Sequence, residues 1–143
     1  MMIVKKTKLY LATITACLVS MGTFADFAVI VHPDNTENFS ASDIKEIYLG
    51  KIKSFDDGEK IDVVNLKPSH NVKEIFDKKI LKKSPRQVKA YWAKIVFTGR
   101  GMPPSEVESP EKAKELVASN PKAIAYIPLA DIDTSVKNVF EFK

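Results

Sequence analysis

Cysteine and histidine are scarce in this sequence. The 143 residues include one cysteine, Cys17, and two histidines, His32 and His70. A disulfide framework needs paired cysteines, so that class of fold is excluded. The two histidines with Asp34 make a set too small for a recognisable metal site. A G-x-S-x-G nucleophile motif is also missing from the sequence. We therefore predict no metal, no cofactor and no catalytic site, and we expect a protein that is not an enzyme.

An excess of positive charge is also lacking once the first 25 residues are set aside. The whole chain has 22 Lys and Arg against 18 Asp and Glu. Three of the basic residues are Lys5, Lys6 and Lys8, and the first acidic residue is Asp26. Residues 26–143 thus carry 19 basic against 18 acidic side chains. Because nucleic-acid binding needs a concentrated basic surface, we predict no nucleic-acid partner.

The first 25 residues have the pattern of a secretory signal peptide. Lysines precede a mostly apolar run from Leu9 to Met21, which is short for a membrane span. Thr23-Phe24-Ala25 then places small residues at the −3 and −1 positions of a cleavage site. The sequence predicts a signal peptide over residues 1–25 and one domain over residues 26–143.

Two other interpretations of this leader remain open. Ile14-Thr15-Ala16-Cys17 is similar to a lipoprotein box, which would attach a lipid to Cys17. That lipid is the only membrane contact that the sequence suggests for a cleaved protein. The leader could also stay on the chain as an N-terminal anchor.

Apolar runs and apolar stripes alternate along residues 26–143. Four runs predict strands: Phe27–Val31, Ile61–Leu66, Ala123–Ile127 and Val136–Phe142. Four stripes predict helices, through Ile44, Ile47 and Tyr48; Val72, Ile75, Phe76 and Ile80; Val88, Tyr91, Trp92, Ile95 and Val96; and Ala113, Leu116 and Val117. Ser40 or Ser42 is suited to cap the first helix, and Gly50 to end it. Residues 98–105 read as a loop. The alternation predicts an α/β layer fold.

The stretch Asp43–Asp57, DIKEIYLGKIKSFDD, resembles a segment of the phosphate-binding components of bacterial ABC transporters. Phe55 stands where that segment has Trp, and Ala123–Tyr126 is similar to a later strand of the same family. Ser84–Trp92 and Phe97–Pro104 resemble small exported single-lobe relatives. The resemblance implies one lobe of a type II periplasmic-binding-protein-like fold. That lobe would have a mixed sheet of about four to five strands flanked by about four helices, and it would lie in the periplasm.

The family binds its anion through Gly-Ser-Gly-Thr before the second helix, preceded by an Arg. This chain alters that motif: it has Ser69, His70, Asn71 and Val72 there, Val72 has no hydroxyl to donate, and Leu66 stands at the Arg. Lys67, Ser69, His70 and Asn71 still lie together just before a helix, which is a generic anion-binding arrangement, and we predict that they bind phosphate or another small oxyanion weakly. The alternative is that Ser69 or Asn71 caps the helix and Lys67 is a solvated surface charge.

The loop GRGMPP places Arg100 between two glycines. Arg100 is a predicted interaction residue, and a plain connection is the alternative. Two functions follow from the resemblance. The first is an exported substrate-binding-protein-like domain that binds phosphate weakly. The second is a ligand-free interaction or sensory accessory module that contacts another envelope protein.

Overall fold

Five β-strands form one mixed sheet in the computed structural model, which describes residues 26–143. The strands are β1 (Phe27–Val31), β2 (Asp62–Leu66), β3 (Ser105–Val107), β4 (Ala123–Pro128) and β5 (Lys137–Phe142). Their order across the sheet is β3-β2-β4-β1-β5. Strand β2 runs parallel to β3 and β4, whereas β1 is antiparallel to β4 and β5. The predicted α/β fold with a mixed sheet is confirmed.

Strand β3 is the element that the sequence did not predict. Its three residues, Ser105–Val107, pair with Val64–Leu66 of β2 at the edge of the sheet. The prediction that residues 98–105 form a loop is therefore wrong at Ser105. A short polar edge strand has no run of apolar residues that would mark it in a sequence.

Four α-helices connect the strands. They are α1 (Ala41–Tyr48), α2 (Asn71–Phe76), α3 (Pro85–Phe97) and α4 (Pro110–Ser119). The predicted second helix is not regular throughout, because α2 continues as a π-helical turn over Asp77–Leu81. A 3₁₀ turn over Leu129–Asp131 joins β4 to the last segment. Among the described residues, no helix has the length and apolar character needed to cross a membrane.

Serine side chains begin three of these helices. Ser40, not Ser42, caps α1: its Oγ accepts from the Asp43 N–H at 3.1 Å, and Asp43 accepts from the Ser40 N–H at 2.8 Å. Ser84 caps α3 with the same reciprocal pair of bonds, to Gln87, whereas Ser109 caps α4 through its side chain alone, which accepts from the Lys112 N–H. The three serine caps satisfy N–H groups that have no partner inside the helix. They fix where each helix leaves the sheet.

The core lies on both faces of the central strands. All five residues of β1 are fully buried, as predicted for a strand covered on both faces. Four aromatic side chains form a cluster beside it: Phe27, Tyr48, Phe76 and Tyr126. The Tyr48 hydroxyl donates to the Val64 carbonyl at 2.8 Å, which ties α1 to β2. This cluster sets the position of β2, whose two ends carry the candidate sites.

Two residues of the predicted helix stripes are exposed. Val96 is 43% exposed and Leu116 is 38% exposed. The buried line of α3 passes through Val88 and Trp92, and Val96 lies at its edge in the last turn. Val96 and Leu116 therefore expose apolar surface on the side of the molecule where α3 ends.

Candidate functional site

A tight turn joins the end of β2 to the start of α2. The His70 N–H donates to the Lys67 carbonyl at 3.0 Å, and the Lys67 N–H donates to the Val107 carbonyl of β3 at 3.1 Å. The four predicted anion-binding residues, Lys67, Ser69, His70 and Asn71, therefore lie in one turn at the carboxyl end of β2, next to the edge strand β3. We call residues 67–71 the β2–α2 turn.

His70 is the residue that caps α2. Its backbone is extended, and its Nδ1 accepts from the Val72 N–H at 3.4 Å. The prediction that Ser69 or Asn71 is the cap is wrong, because His70 occupies the last extended position before the helix. The N–H groups of Ser69 and Asn71 have no acceptor within residues 26–143. Two backbone donors in this turn therefore remain available.

Lys67 has an acidic partner in the structure. Its Nζ forms an ion pair with the Glu108 carboxylate, which follows β3. The lysine side chain is 41% exposed and the glutamate 76% exposed. An anion that approached the turn would compete with this carboxylate. Helix α2 has only six residues, so few peptide dipoles point at the turn. The geometry allows contact with a small anion and gives little that would hold it tightly.

Arg100 lies at the opposite end of the parallel strands. It lines a groove of about 780 Å³ near the starts of β2, β3 and β4. One wall is the connector from Gly50 to Lys53, and the other is the end of α3 with the loop that follows it. We call it the basic groove, after the four cationic residues in its lining: Lys51, Lys53, Lys60 and Arg100.

The two sets of predicted residues thus do not form one site. The β2–α2 turn and the basic groove lie at opposite ends of β2. Sequence reasoning identified Arg100 but gave Lys51 and Lys53 no role in a site. The signal that it passed over is the alternation of basic and apolar residues in Lys51-Ile52-Lys53, which places both kinds of side chain in the groove.

Gly50 shapes the wall of the groove. It ends α1 in the left-handed conformation with φ of +72°, as predicted for a helix C-terminus. A Cβ at this position would lie 2.9 Å from Cη2 of Trp92. Glycine is needed here both for its backbone angle and for the close approach of the indole ring. The Tyr91 hydroxyl donates to the neighbouring Leu49 carbonyl at 2.6 Å, which fixes α3 against this connector.

The histidines lie apart from each other in the fold. His32 Nδ1 accepts from the Asp34 N–H at 3.1 Å and lies 3.6 Å from the Asp34 carboxylate, while His70 caps α2. No group of three His, Cys, Asp or Glu residues placed to hold a metal ion occurs between positions 26 and 143.

Comparison with known proteins gives matches in structure alone. No protein-family model and no curated protein matches the sequence. An ABC-type phosphate transport receptor from Vibrio cholerae superposes with a TM-score of 0.63 and 23% identity, over 80% of this chain and 46% of the receptor. A phosphate ABC transporter substrate-binding protein from Clostridium perfringens, solved with bound phosphate, superposes with a TM-score of 0.63 and 24% identity. That match covers 80% of this chain and 45% of the Clostridium perfringens protein. PstS from Borrelia burgdorferi superposes with a TM-score of 0.59 and 17% identity, and the match covers 47% of its length.

These matches confirm the resemblance at the level of the fold. Each one spans less than half of the matched protein, so the similarity is partial and corresponds to a single lobe. The described part of this chain has the α/β fold of one lobe of the phosphate ABC transporter substrate-binding proteins.

Proposed function

We propose that this protein is an exported, non-catalytic binding domain that takes phosphate or a similar small oxyanion weakly at the β2–α2 turn. The observation that carries the proposal is the placement of Lys67, Ser69, His70 and Asn71 in one turn with two unpaired backbone N–H groups. Backbone N–H groups and a lysine are the groups that proteins use to bind oxyanions. The bound phosphate of the similar Clostridium perfringens protein supports this class of ligand.

Export to the periplasm is part of the proposal. Residues 1–25 lie outside the described residues and are proposed to be a signal peptide, with residues 26–143 as the mature domain. Mass spectrometry of the protein isolated from the cell envelope is expected to find an N-terminus at Asp26. A diacylglycerol mass on Cys17 would support the lipoprotein alternative instead. A chain that still begins at Met1 would contradict export by cleavage.

Weak phosphate binding predicts a local NMR response. Sodium phosphate titrated to about 20 mM is expected to shift the amide signals of residues 67–71, with a dissociation constant in the millimolar range. That affinity corresponds to about −4 kcal/mol. Replacing Glu108 by Gln removes the carboxylate that competes for Lys67, so phosphate should bind about threefold more tightly to Glu108→Gln.

The control is sodium chloride at equal ionic strength, which separates a specific site from charge screening. Lys67→Gln should weaken the response, whereas Lys112→Gln should not, since Lys112 pairs with Glu115 on α4, outside the turn. No shift at 20 mM phosphate, or an equal shift in Lys67→Gln, would reject the oxyanion site.

A protein-interaction module is the second candidate function. It is favoured by large apolar side chains at the surface where α3 ends: Phe97 is 92% exposed and Met102 is 77% exposed. Exposed apolar side chains that adjoin a groove are typical of surfaces that bind another protein. This candidate function does not depend on phosphate binding, so a negative phosphate titration would not count against it.

A further inference from the structure

We infer that the basic groove binds an acidic peptide segment of a partner protein, one that alternates carboxylate and large apolar side chains. The inference specifies the second candidate function and does not depend on the oxyanion site. It rests on two properties of the groove that occur together, an apolar floor and a rim of unpaired cations.

The floor consists of apolar side chains from three segments of the chain. Its larger members are Ile52, Tyr91, Trp92, Ile95, Met102 and Leu116. Met102 and Leu116 are exposed, whereas Trp92 is 9% exposed and forms a firm base. A groove of this kind gains binding energy when a ligand covers apolar surface that is otherwise in contact with water.

The rim carries positive charge that the rest of the fold does not neutralise. Lys51, Lys53, Lys60 and Arg100 are all exposed, and none of them forms an ion pair with another of residues 26–143. The lining contains one carboxylate, Asp62, and its Oδ2 accepts from the Asn120 amide at 2.8 Å. The residues 26–143 as a whole are nearly neutral, so this is a local excess of positive charge and not a general one.

This combination selects a peptide over the other anionic ligands. Inorganic phosphate would use the cations but leave the apolar floor uncovered. Single-stranded nucleic acid binds through aromatic faces on which bases stack. The aromatic residues in the lining offer little free ring face: Trp92 is 9% exposed and packs on Gly50, and Tyr91 is half-buried. In a peptide that contains both kinds of side chain, Glu or Asp can pair with the cations of the rim while Leu or Phe covers the apolar floor.

Selection from a random 12-residue peptide library displayed on phage, with the purified protein as bait, tests the inference. The enriched sequences are expected to contain both acidic and large apolar residues. Trp92 is the single tryptophan of the chain and lies in the groove, so its emission should change as a selected synthetic peptide binds. The double variant Lys51→Glu/Arg100→Glu should lose about tenfold in affinity or more.

The matched control is Arg86→Glu/Lys89→Glu, which makes the same change in charge at exposed positions of α3 outside the groove. That variant should bind the peptide within about twofold of the unchanged protein. The inference would be overturned if both double variants lost the same affinity for the peptide, or if the enriched sequences contained no acidic residues. Tighter binding of a dT₁₂ oligonucleotide at Trp92 would also overturn it. The peptide test measures the fluorescence of Trp92, and the phosphate test measures the NMR amide signals of residues 67–71. A negative result in one test therefore leaves the other unaffected.

Discussion

Replacement of Lys73 by Met is expected to lower the free energy of unfolding by about 3–5 kcal/mol. Lys73 Nζ lies 2.8 Å from Asp77 Oδ2, one helical turn away, and the two side chains are 8% and 0% exposed. The second carboxylate oxygen of Asp77 has no hydrogen-bond partner among residues 26–143. Without the ammonium group, a buried carboxylate would have no compensating charge, and that is costly in a medium of low dielectric constant.

The size of this effect should depend on pH. Burial raises the pKa of Asp77 above 3.8, and the hydrogen bond and charge of Lys73 oppose that rise. A carboxyl group with a raised pKa binds more protons when folded than when unfolded. Stability therefore falls as pH increases from the unfolded pKa through the folded one. Lys73→Met removes the opposing contribution and raises the pKa of Asp77 further. Its deficit against the unchanged protein should be largest near pH 7 and shrink toward pH 4.

Guanidinium denaturation at pH 4 and pH 7, followed by circular dichroism, measures both quantities. Lys78→Met is the matched control, because Lys78 also pairs with a carboxylate one turn away, Glu74 at 2.7 Å, but both are about half exposed. It should cost less than about 1 kcal/mol. The double variant Lys73→Met/Asp77→Leu should recover most of the loss. A Lys73→Met deficit below about 1 kcal/mol, or one that is the same at both pH values, would contradict this account.

The sequence was sufficient for the elements that apolar side chains define. Strand β1 was predicted with its exact bounds, and β2, β4 and β5 within one residue, because each is a run rich in β-branched or aromatic residues. The π-helical turn at Asp77–Leu81 was not predictable, since Phe76 and Ile80 continue the spacing of a regular helix. The pair of Lys73 and Asp77 was missed for a related reason: charged residues on a helix are normally solvated.

The candidate sites depended on contacts that a linear sequence does not contain. The resemblance located the β2–α2 turn, but the Lys67 partner, Glu108, follows an edge strand that was not predicted. The groove likewise forms only because the connector after α1 folds against α3 through Gly50 and Trp92. The sequence therefore identified single residues, Lys67 through the resemblance and Arg100 through its Gly-rich loop, and tertiary packing determined what surrounds each of them.

Phe76→Ala is expected to destabilise the protein by about 3–5 kcal/mol through loss of packing. Phe76 is fully buried at the end of α2, and its ring stacks on Tyr126 with centroids 3.9 Å apart. It also meets the rings of Tyr48 at 4.7 Å and Phe27 at 5.6 Å. Removal of this ring leaves a cavity bounded by α1, β1 and β4, three elements that cannot all move inward at once.

The loss should also reach the sheet beside the β2–α2 turn. The Tyr126 hydroxyl donates to the Asn65 side chain in β2, and burial raises the pKa of Tyr126 well above 10. A Tyr126 ring freed from its stack would loosen this bond, so the amide signals of Asn65 and Leu66 should broaden in Phe76→Ala. Phe97→Ala removes the same atoms from a side chain that is 92% exposed and should change stability by less than about 0.5 kcal/mol. Phe76→Leu keeps most of the side-chain volume, so its loss of stability should lie between those of Phe76→Ala and Phe97→Ala. Equal stability of Phe76→Ala and Phe97→Ala in guanidinium unfolding would show that the aromatic cluster does not hold α2 on the sheet.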